Sequence, residues 1–223
     1  MEILISEGKF DVWFFDELIK DSYDGQLYPW FFPKKEMPEI QRLIWENSGF
    51  EKANDFMLIY GDNGRVKTCN LFIYRLIITC LKHVEGTTNF NLIIDRDNSS
   101  HSNLTSTIRT ILENIPNQPI LYPPTPTLRE YDNIFELIFR ERGKVKLKLH
   151  TIHRSLEYQI VKKIHELKCP RDQELLSMSP HDALDLLALK YYSRDKESLI
   201  REAARELAGE TWIQEILNSC LHA

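Results

Sequence analysis

The stretch EILISEGKFD, residues 2–11, places two acidic residues directly after a short apolar strand. Apolar residues then recur at helical spacing from Phe10 to Lys20, so this region predicts a strand followed by a helix. Two further strands each precede a predicted helix: Phe56–Tyr60 before Thr68–His83, and Phe90–Ile94 before Asn103–Asn114. Alternation of this kind is typical of an α/β fold, in which helices flank a mostly parallel sheet.

Two segments interrupt the alternation and are predicted insertions. Residues 21–55 contain three prolines and a dense aromatic run, with a short helix expected near Ile40–Trp45. Residues 116–144 begin with five prolines in eleven positions, which exclude a regular helix or a central strand. We therefore expect an α/β domain over residues 1–170 and a small helical C-terminal appendage over residues 171–223.

Composition excludes a disordered or fibrous protein, because 43% of the 223 residues are hydrophobic. The net charge of −5 gives no bulk attraction for nucleic acid, so any such contact needs a local basic patch. No apolar run approaches the roughly 20 residues of a membrane span. The N-terminal residues also lack a signal-peptide layout, and we expect a cytoplasmic protein without a membrane partner. The four cysteines form no C-x-x-C pair and are expected to be reduced core residues.

Four acidic residues follow the first and third predicted strands: Glu7, Asp11, Asp95 and Asp97. Open parallel sheets bind their ligands at the carboxyl ends of their strands, so these side chains are expected to meet. Such a carboxylate cluster repels itself unless a hard cation neutralises it, and Mg²⁺ or Mn²⁺ is the natural partner for oxygen ligands. The alternative is that the acids only cap helix starts, where Asp and Glu are favoured.

Two of these segments carry a family resemblance. The sequence Glu7-Gly8-Lys9-Phe10-Asp11 and the later LIIDRD, residues 92–97, resemble the TOPRIM domain of topoisomerases, bacterial primases and nucleases. The first form is most similar to OLD-family nucleases and small stand-alone TOPRIM proteins. The resemblance covers roughly residues 1–170 and implies a TOPRIM-like, Rossmann-type parallel sheet of about four strands.

The resemblance also implies a site. Glu7, Asp95 and Asp97 would bind Mg²⁺ and, with Asp11, catalyse phosphodiester cleavage, while Glu157 would be an additional metal ligand in the OLD-like branch. The chain lacks the strand-gate of a topoisomerase, the polymerase body of a primase and the ATPase domain of OLD nucleases. We therefore expect a metal-dependent nuclease acting on DNA or RNA. The alternative is a non-catalytic interaction module that assembles with identical chains through its C-terminal helices.

Basic residues supply the expected phosphate contacts. Lys9 either contacts phosphate or lies at an exposed helix entry. Six basic side chains occupy even positions and would share one face of an extended strand: Arg140, Arg142, Lys144, Lys146, Lys148 and His150. Such a stripe suits a phosphate backbone, although lysines on a solvated edge strand over Val145–Leu149 are an equally good interpretation.

A nucleotide-binding loop is the rival interpretation of residues 61–68. Their sequence, GDNGRVKT, follows a strand and resembles a P-loop with Val66 where the second glycine belongs. That glycine lets backbone amides curl around phosphate, so its absence argues against a working site.

Overall fold

The protein is described by a computed structural model that covers residues 1–32, 34–62, 64, 73–97, 99–115, 127–131, 134–139 and 143–221. These residues form one seven-stranded mixed sheet in the order β2-β3-β1-β4-β7-β6-β5. The strands are β1 Glu2–Ser6, β2 Gln26–Phe31, β3 Phe56–Gly61, β4 Gly86–Asp95, β5 Thr127–Tyr131, β6 Ile134–Phe139 and β7 Gly143–Ile152. The first five in that order run parallel, and β5, β6 and β7 pair antiparallel.

Helices cover both faces of the sheet. In chain order they are α1 Lys9–Ile19, α2 Met37–Glu46, α3 Phe50–Asn54, α4 Ile73–His83, α5 His101–Glu113, α6 Leu156–Lys168, α7 Pro180–Tyr191, α8 Lys196–Leu207 and α9 Thr211–Leu221, with a 3₁₀ turn at Leu175–Ser177. Residues 68–72 of the predicted helix before His83 lie outside the described residues. Ser100, Ser155, Ser179 and Asp195 cap the starts of α5, α6, α7 and α8 through their side-chain oxygens.

Alternate residues of the strands pack into two hydrophobic cores, one on each face of the sheet. Ile3 and Ile5 of β1 face a core that includes α2, α4 and α5, whereas Leu4 faces a core built with α1 and α6 to α9. Because both faces of β1 and β3 are buried, their sequences are nearly continuous apolar runs. The C-terminal helices therefore pack onto the sheet face that α1 and α6 share, instead of standing apart as an appendage.

The α/β class predicted from the sequence is confirmed, but the expected sheet of about four strands is too small. The predicted insertion at residues 21–55 contributes the edge strand β2, and the insertion at 116–144 contributes β5 and β6. Strand β2 contains Pro29, β5 is mostly polar, and the apolar sequence of β6 fits a helix as well as a strand, so none of the three carries a clear strand pattern.

The prediction that Val145–Leu149 forms an edge strand is wrong. Strand β7 lies between β4 and β6, so its backbone is paired on both sides from Gly143 to Lys148. Beyond Lys148 the described residues of β7 pair only with β4. The alternation of apolar and lysine side chains arises because one face of β7 is buried against the core of α4 and α5, not because the strand is at an edge.

The chain reverses direction across the sheet between β1 and β4. Helix α1 leaves β1 on one face and leads to β2 and β3, whereas α5 leaves β4 on the opposite face and leads to β5, β6 and β7. A crevice opens at the carboxyl ends of two such neighbouring strands, and ligands of open α/β sheets bind there. Among the described residues, no helix combines the length and apolar character needed to cross a bilayer.

Candidate functional site

Five acidic residues meet at the crevice between β1 and β4. Glu7 follows β1, Asp95 is the last residue of β4, and Asp97 is two residues further on. Asp11 lies in the first turn of α1, and Glu157 lies in the first turn of α6. We call this group the acidic cluster, and it contains every acidic side chain that the sequence predicted for the site.

Backbone amides hold the acidic cluster in place. Glu7 Oε1 accepts a hydrogen bond of 3.0 Å from the amide of Asp95, which ties the end of β1 to the end of β4. Asp95 Oδ1 accepts one of 2.9 Å from the amide of Leu156, at the start of α6. Asp11 Oδ2 accepts one of 2.7 Å from the amide of Gly8. The amides of Gly8 and Leu156 lie at helix starts and carry partial positive charge, so their bonds offset part of the repulsion among the carboxylates.

Two residues beside the cluster adopt left-handed backbone conformations. Asp97 has φ of 44° and Arg154 has φ of 61°, and the amide of Asp97 donates to the carbonyl of Arg154 over 2.8 Å. Such conformations cost energy for residues other than glycine and persist where the surrounding structure requires them. This contact fixes the loop after β4 against the loop after β7, at the open side of the acidic cluster.

The surroundings of the acidic cluster disfavour the ionised form of its carboxyl groups. Burial, followed by the negative charges of Glu157 and Asp95, raises the pKa of Asp11 well above its usual range. Burial, then Glu157 and Glu7, raises the pKa of Asp95 to about 8. Groups with strongly raised pKa values in a crevice are candidates for catalytic or binding roles.

A glycine allows β3 to approach the start of α1 closely. A Cβ atom at Gly61 would collide with the carbonyl oxygen of Gly8. The amide of Asp62 donates to the backbone carbonyl of Ser6 over 3.2 Å, and the amide of Gly64 donates to the backbone carbonyl of Glu7 over 2.9 Å. The glycine at position 61 therefore serves this contact, which the sequence alone did not reveal.

The oxygen-only donor set suits a hard divalent cation, and neutralisation by such a cation would relieve the repulsion that raises the pKa of Asp95. The described residues contain no group of three or more His, Cys, Asp or Glu side chains that already converges as a metal-ligand set. Glu7, Asp11 and Asp95 each direct one oxygen to a backbone amide. Binding a cation therefore requires these side chains to turn from their amide partners or to use their second oxygens.

Lys9 lies apart from the other predicted basic residues, whereas Lys144, Lys146 and Lys148 occupy alternate positions on one face of β7. Lys9 is exposed, and its ammonium lies 4.6 Å from the centre of the Trp13 ring on the outer side of α1. Lys144 forms an ion pair of 2.5 Å with Glu136 of β6. Lys146 and Lys148 are half-buried on the same face of β7. Arg140 and Arg142 lie outside the described residues, so the full stripe is not observed.

Sequence reasoning missed one acidic residue at this edge of the sheet. Asp62 follows β3, the neighbour of β1, and is 9% exposed. Its position directly after a buried strand was the signal that could have identified it. Residues 61–68 were interpreted instead as a possible P-loop, so Asp62 was not considered with the other acids. Most of that P-loop segment, residues 63 and 65–68, lies outside the described residues.

Comparison of the chain with protein-family models, with curated proteins and with solved structures finds no match.

Proposed function

We propose that this protein is a TOPRIM-like nuclease that hydrolyses phosphodiester bonds of nucleic acid with Mg²⁺ or Mn²⁺. The observation that supports the proposal most strongly is the acidic cluster at the β1–β4 crevice, where burial, followed by the charges of Glu157 and Glu7, raises the pKa of Asp95 to about 8. Structural acids are normally placed where their charge is compensated, so a buried group of like charges indicates a cationic ligand.

The residues of the cluster have distinct proposed roles. Glu7, Asp95, Asp97 and Glu157 would hold the metal, which supplies charge neutralisation at a phosphate and a more acidic bound water. Glu7 directly follows β1 and lies beside Asp95, and its carboxylate would accept a proton from an attacking water. Asp11 is the buried member of the cluster, and it orients the start of α1 through the amide of Gly8.

Motif order and strand context support the TOPRIM-like assignment. The E-G-K-x-D segment follows β1 and the D-x-D segment ends β4, and these two strands are adjacent in the sheet. They are the third and fourth of the five parallel strands β2-β3-β1-β4-β7, and β2, β5 and β6 are additions to the smaller sheet that the resemblance implies.

The test is metal-dependent cleavage. Wild type and the Asp95→Ala, Asp97→Ala double variant are incubated with supercoiled plasmid and with labelled oligonucleotides, in Mg²⁺, Mn²⁺ or EDTA. We expect wild type to nick or cleave only with metal, and the double variant to be inactive while retaining its circular dichroism spectrum. Equal rates for the two proteins would contradict the proposal.

Glu157 allows a matched control on one helix. Glu157→Gln should reduce cleavage, whereas Glu166→Gln, at an exposed position on the same α6 helix, should leave it unchanged. Loss of activity in both variants would indicate a general effect on α6 rather than a role for the carboxylate of Glu157.

Assembly of identical chains through the C-terminal helices is a second candidate function. It is favoured by exposed apolar side chains near the junction of α6 and α7: Leu167 is 44% exposed, Leu189 52% and Tyr191 43%. Light scattering after size exclusion should then give a mass above the 26.4 kDa of one chain, and Leu189→Glu should restore the monomer. A monomer at all concentrations would remove this candidate.

A further inference from the structure

A polar groove runs beside β7 on the sheet face that carries α9. Two adjoining cavities of about 500 and 190 Å³ share Lys148, Asn218 and Ser219 as lining residues. The sheet forms the floor, with Lys146 and Lys148 from β7 and Asn91 from β4, and α9 forms one wall. We call this the β7 groove.

The floor of the groove contains a fixed polar unit. Ser219 donates to Asn91 Oδ1 over 2.7 Å, and His150 Nε2 lies 3.0 Å from the same oxygen. Burial, helped by the charge of Lys148, lowers the pKa of His150 to about 4, so the imidazole is neutral near pH 7. An amide oxygen can only accept, so His150 Nε2 carries the proton and donates it to Asn91 Oδ1. The unit gives the groove a rigid hydrogen-bonding floor.

The groove lies along the strand whose carboxyl end pairs with Asp95 of the acidic cluster. Lys146, Lys148 and His150 follow one another along one face of β7, and Ile152 pairs with Asp95 at the carboxyl end. At about 3.3 Å per residue, the path from Lys146 to Ile152 is roughly 20 Å long. His101, at the start of α5, lines the far end of the groove, where its Nδ1 lies 3.3 Å from Thr151 Oγ1. Only four positions separate His101 from Asp97 of the cluster.

The volume of the β7 groove and the chemistry of its lining residues indicate which ligand it binds. The larger of the two cavities falls within the roughly 300–1,000 Å³ of sites for small ligands, a volume that suits one or two nucleotides and is too small to hold a double helix. Ammonium groups on the floor suit phosphates, the exposed amide of Asn218 suits base edges, and the half-exposed ring of Trp212 offers apolar surface to a base.

We propose that the β7 groove binds a single strand of nucleic acid and directs it to the acidic cluster. The inference rests on the proposed function, which it deepens by naming single-stranded nucleic acid as the substrate class. Lys146 and Lys148 bind phosphates, Asn218 and Trp212 contact bases, and the strand reaches Asp95 at the carboxyl end of β7.

The experiment measures binding without cleavage. Fluorescence anisotropy in EDTA follows a labelled single-stranded DNA, a single-stranded RNA and the corresponding duplex with wild type, Lys148→Gln and Asn218→Glu. Matched controls are Lys52→Gln and Asn54→Glu, two exposed positions of α3 at the opposite end of the sheet. Circular dichroism confirms that each variant is folded.

We expect wild type to prefer a single strand over the duplex, and both groove variants to bind it about 5- to 10-fold more weakly while the controls bind normally. Loss of one phosphate contact in Lys148→Gln should also reduce the slope of log affinity against log salt by about 0.7. A purely structural effect of the substitution would leave that slope unchanged. The DNA and RNA arms identify which strand the groove accepts.

Failure of this inference is distinguishable from failure of the proposed function. If wild type cleaves nucleic acid with metal but binds duplex better, or if the groove variants bind single strands as wild type does, the β7 groove is overturned and the nuclease proposal stands. If wild type neither binds nor cleaves any of the substrates, both are overturned.

Discussion

The two ends of α1 carry buried acidic residues in opposite electrostatic surroundings. At the start of the helix, Asp11 lies among Glu7, Asp95 and Glu157, and its pKa is raised by burial and by these negative charges. At the other end, Glu17 is 7% exposed and lies among cations. Burial alone would raise its pKa too, but hydrogen bonds from Lys20, Arg205 and Arg201 lower it to about 2.

Short ion pairs compensate the negative charges at the C-terminal end of α1. Arg201 Nη1 of α8 lies 2.8 Å from Asp16 Oδ2 and 3.0 Å from Glu17 Oε2, and Arg205 Nη1 lies 2.6 Å from Glu17 Oε1. Lys20 Nζ adds a contact of 2.7 Å to Glu17. These bonds join the first helix to the penultimate one, across most of the sequence. At the C-terminal end of α1, acidic residues stabilise the fold through ion pairs. At the N-terminal end, acidic residues lie together at a cost in stability, which is typical of a ligand site.

Substitution at the acidic cluster should separate activity from stability. Asp95→Asn keeps an oxygen to accept from the amide of Leu156, so the fold should survive, with an unfolding free energy equal to or above that of wild type. Mutation of a residue that only hydrogen-bonds to a metal ligand costs roughly 10- to 100-fold in activity, and we expect Asp95→Asn to reduce cleavage by more than that. Plasmid nicking and urea unfolding in EDTA measure the two quantities. Retained nicking would remove Asp95 from the site.

The reverse result is expected at the other end of α1. Glu17→Gln removes the charge that Lys20, Arg201 and Arg205 share, and should lower the unfolding free energy by about 2 kcal/mol. Cleavage measured well below the melting temperature should be unchanged, because Glu17 belongs to the opposite end of the helix. Urea unfolding measures the loss, and Lys52→Gln serves as the control for a surface charge change. A loss of cleavage with normal stability would contradict the assignment.

The same ion pairs predict a defined pH dependence. The folded-state pKa of Glu17, about 2, lies below the ordinary value of 4.5. A lowered carboxyl pKa contributes stability that is complete above the ordinary value and is lost as pH falls towards the folded-state value. The stability difference between wild type and Glu17→Gln should therefore be constant above about pH 5 and shrink between pH 4.5 and 2. A difference that stays constant down to pH 3 would contradict the ion-pair account.

The smallest expected effect is at Asp11. Asp11→Asn retains an oxygen for the amide of Gly8 but removes a charge that burial and neighbouring acids disfavour. We expect a gain of about 1 kcal/mol or less in unfolding free energy, measured in EDTA near pH 8. A clear loss of stability would mean that the ionised carboxylate of Asp11 is compensated, as that of Glu17 is.

Local patterns predicted much of this molecule because they depend on neighbouring residues. The strand at residues 2–6, the following helix and the acids at strand ends are all evident from short periodic segments. The meeting of Glu7 with Asp95 was predictable as well, because parallel strands place their carboxyl ends at one edge of the sheet.

Long-range pairing was not predictable. The position of β7 between β4 and β6 depends on β6, whose sequence fits a helix or a strand equally well. The contact of Gly61 with Gly8 and the ion pairs of Glu17 with Arg201 and Arg205 join residues that are distant in sequence. One sequence contains no periodic signal for such contacts, so the groove beside β7 and the stabilising end of α1 required the structure.

Calorimetric titration of Mg²⁺ and Mn²⁺ into wild type and the Asp95→Ala, Asp97→Ala variant tests the central claim most directly. The acidic cluster predicts saturable binding to wild type that is lost in the variant, together with a rise in melting temperature that only wild type shows. Equal binding by the two proteins, or none by wild type, would contradict the assignment of the acidic cluster as a metal site.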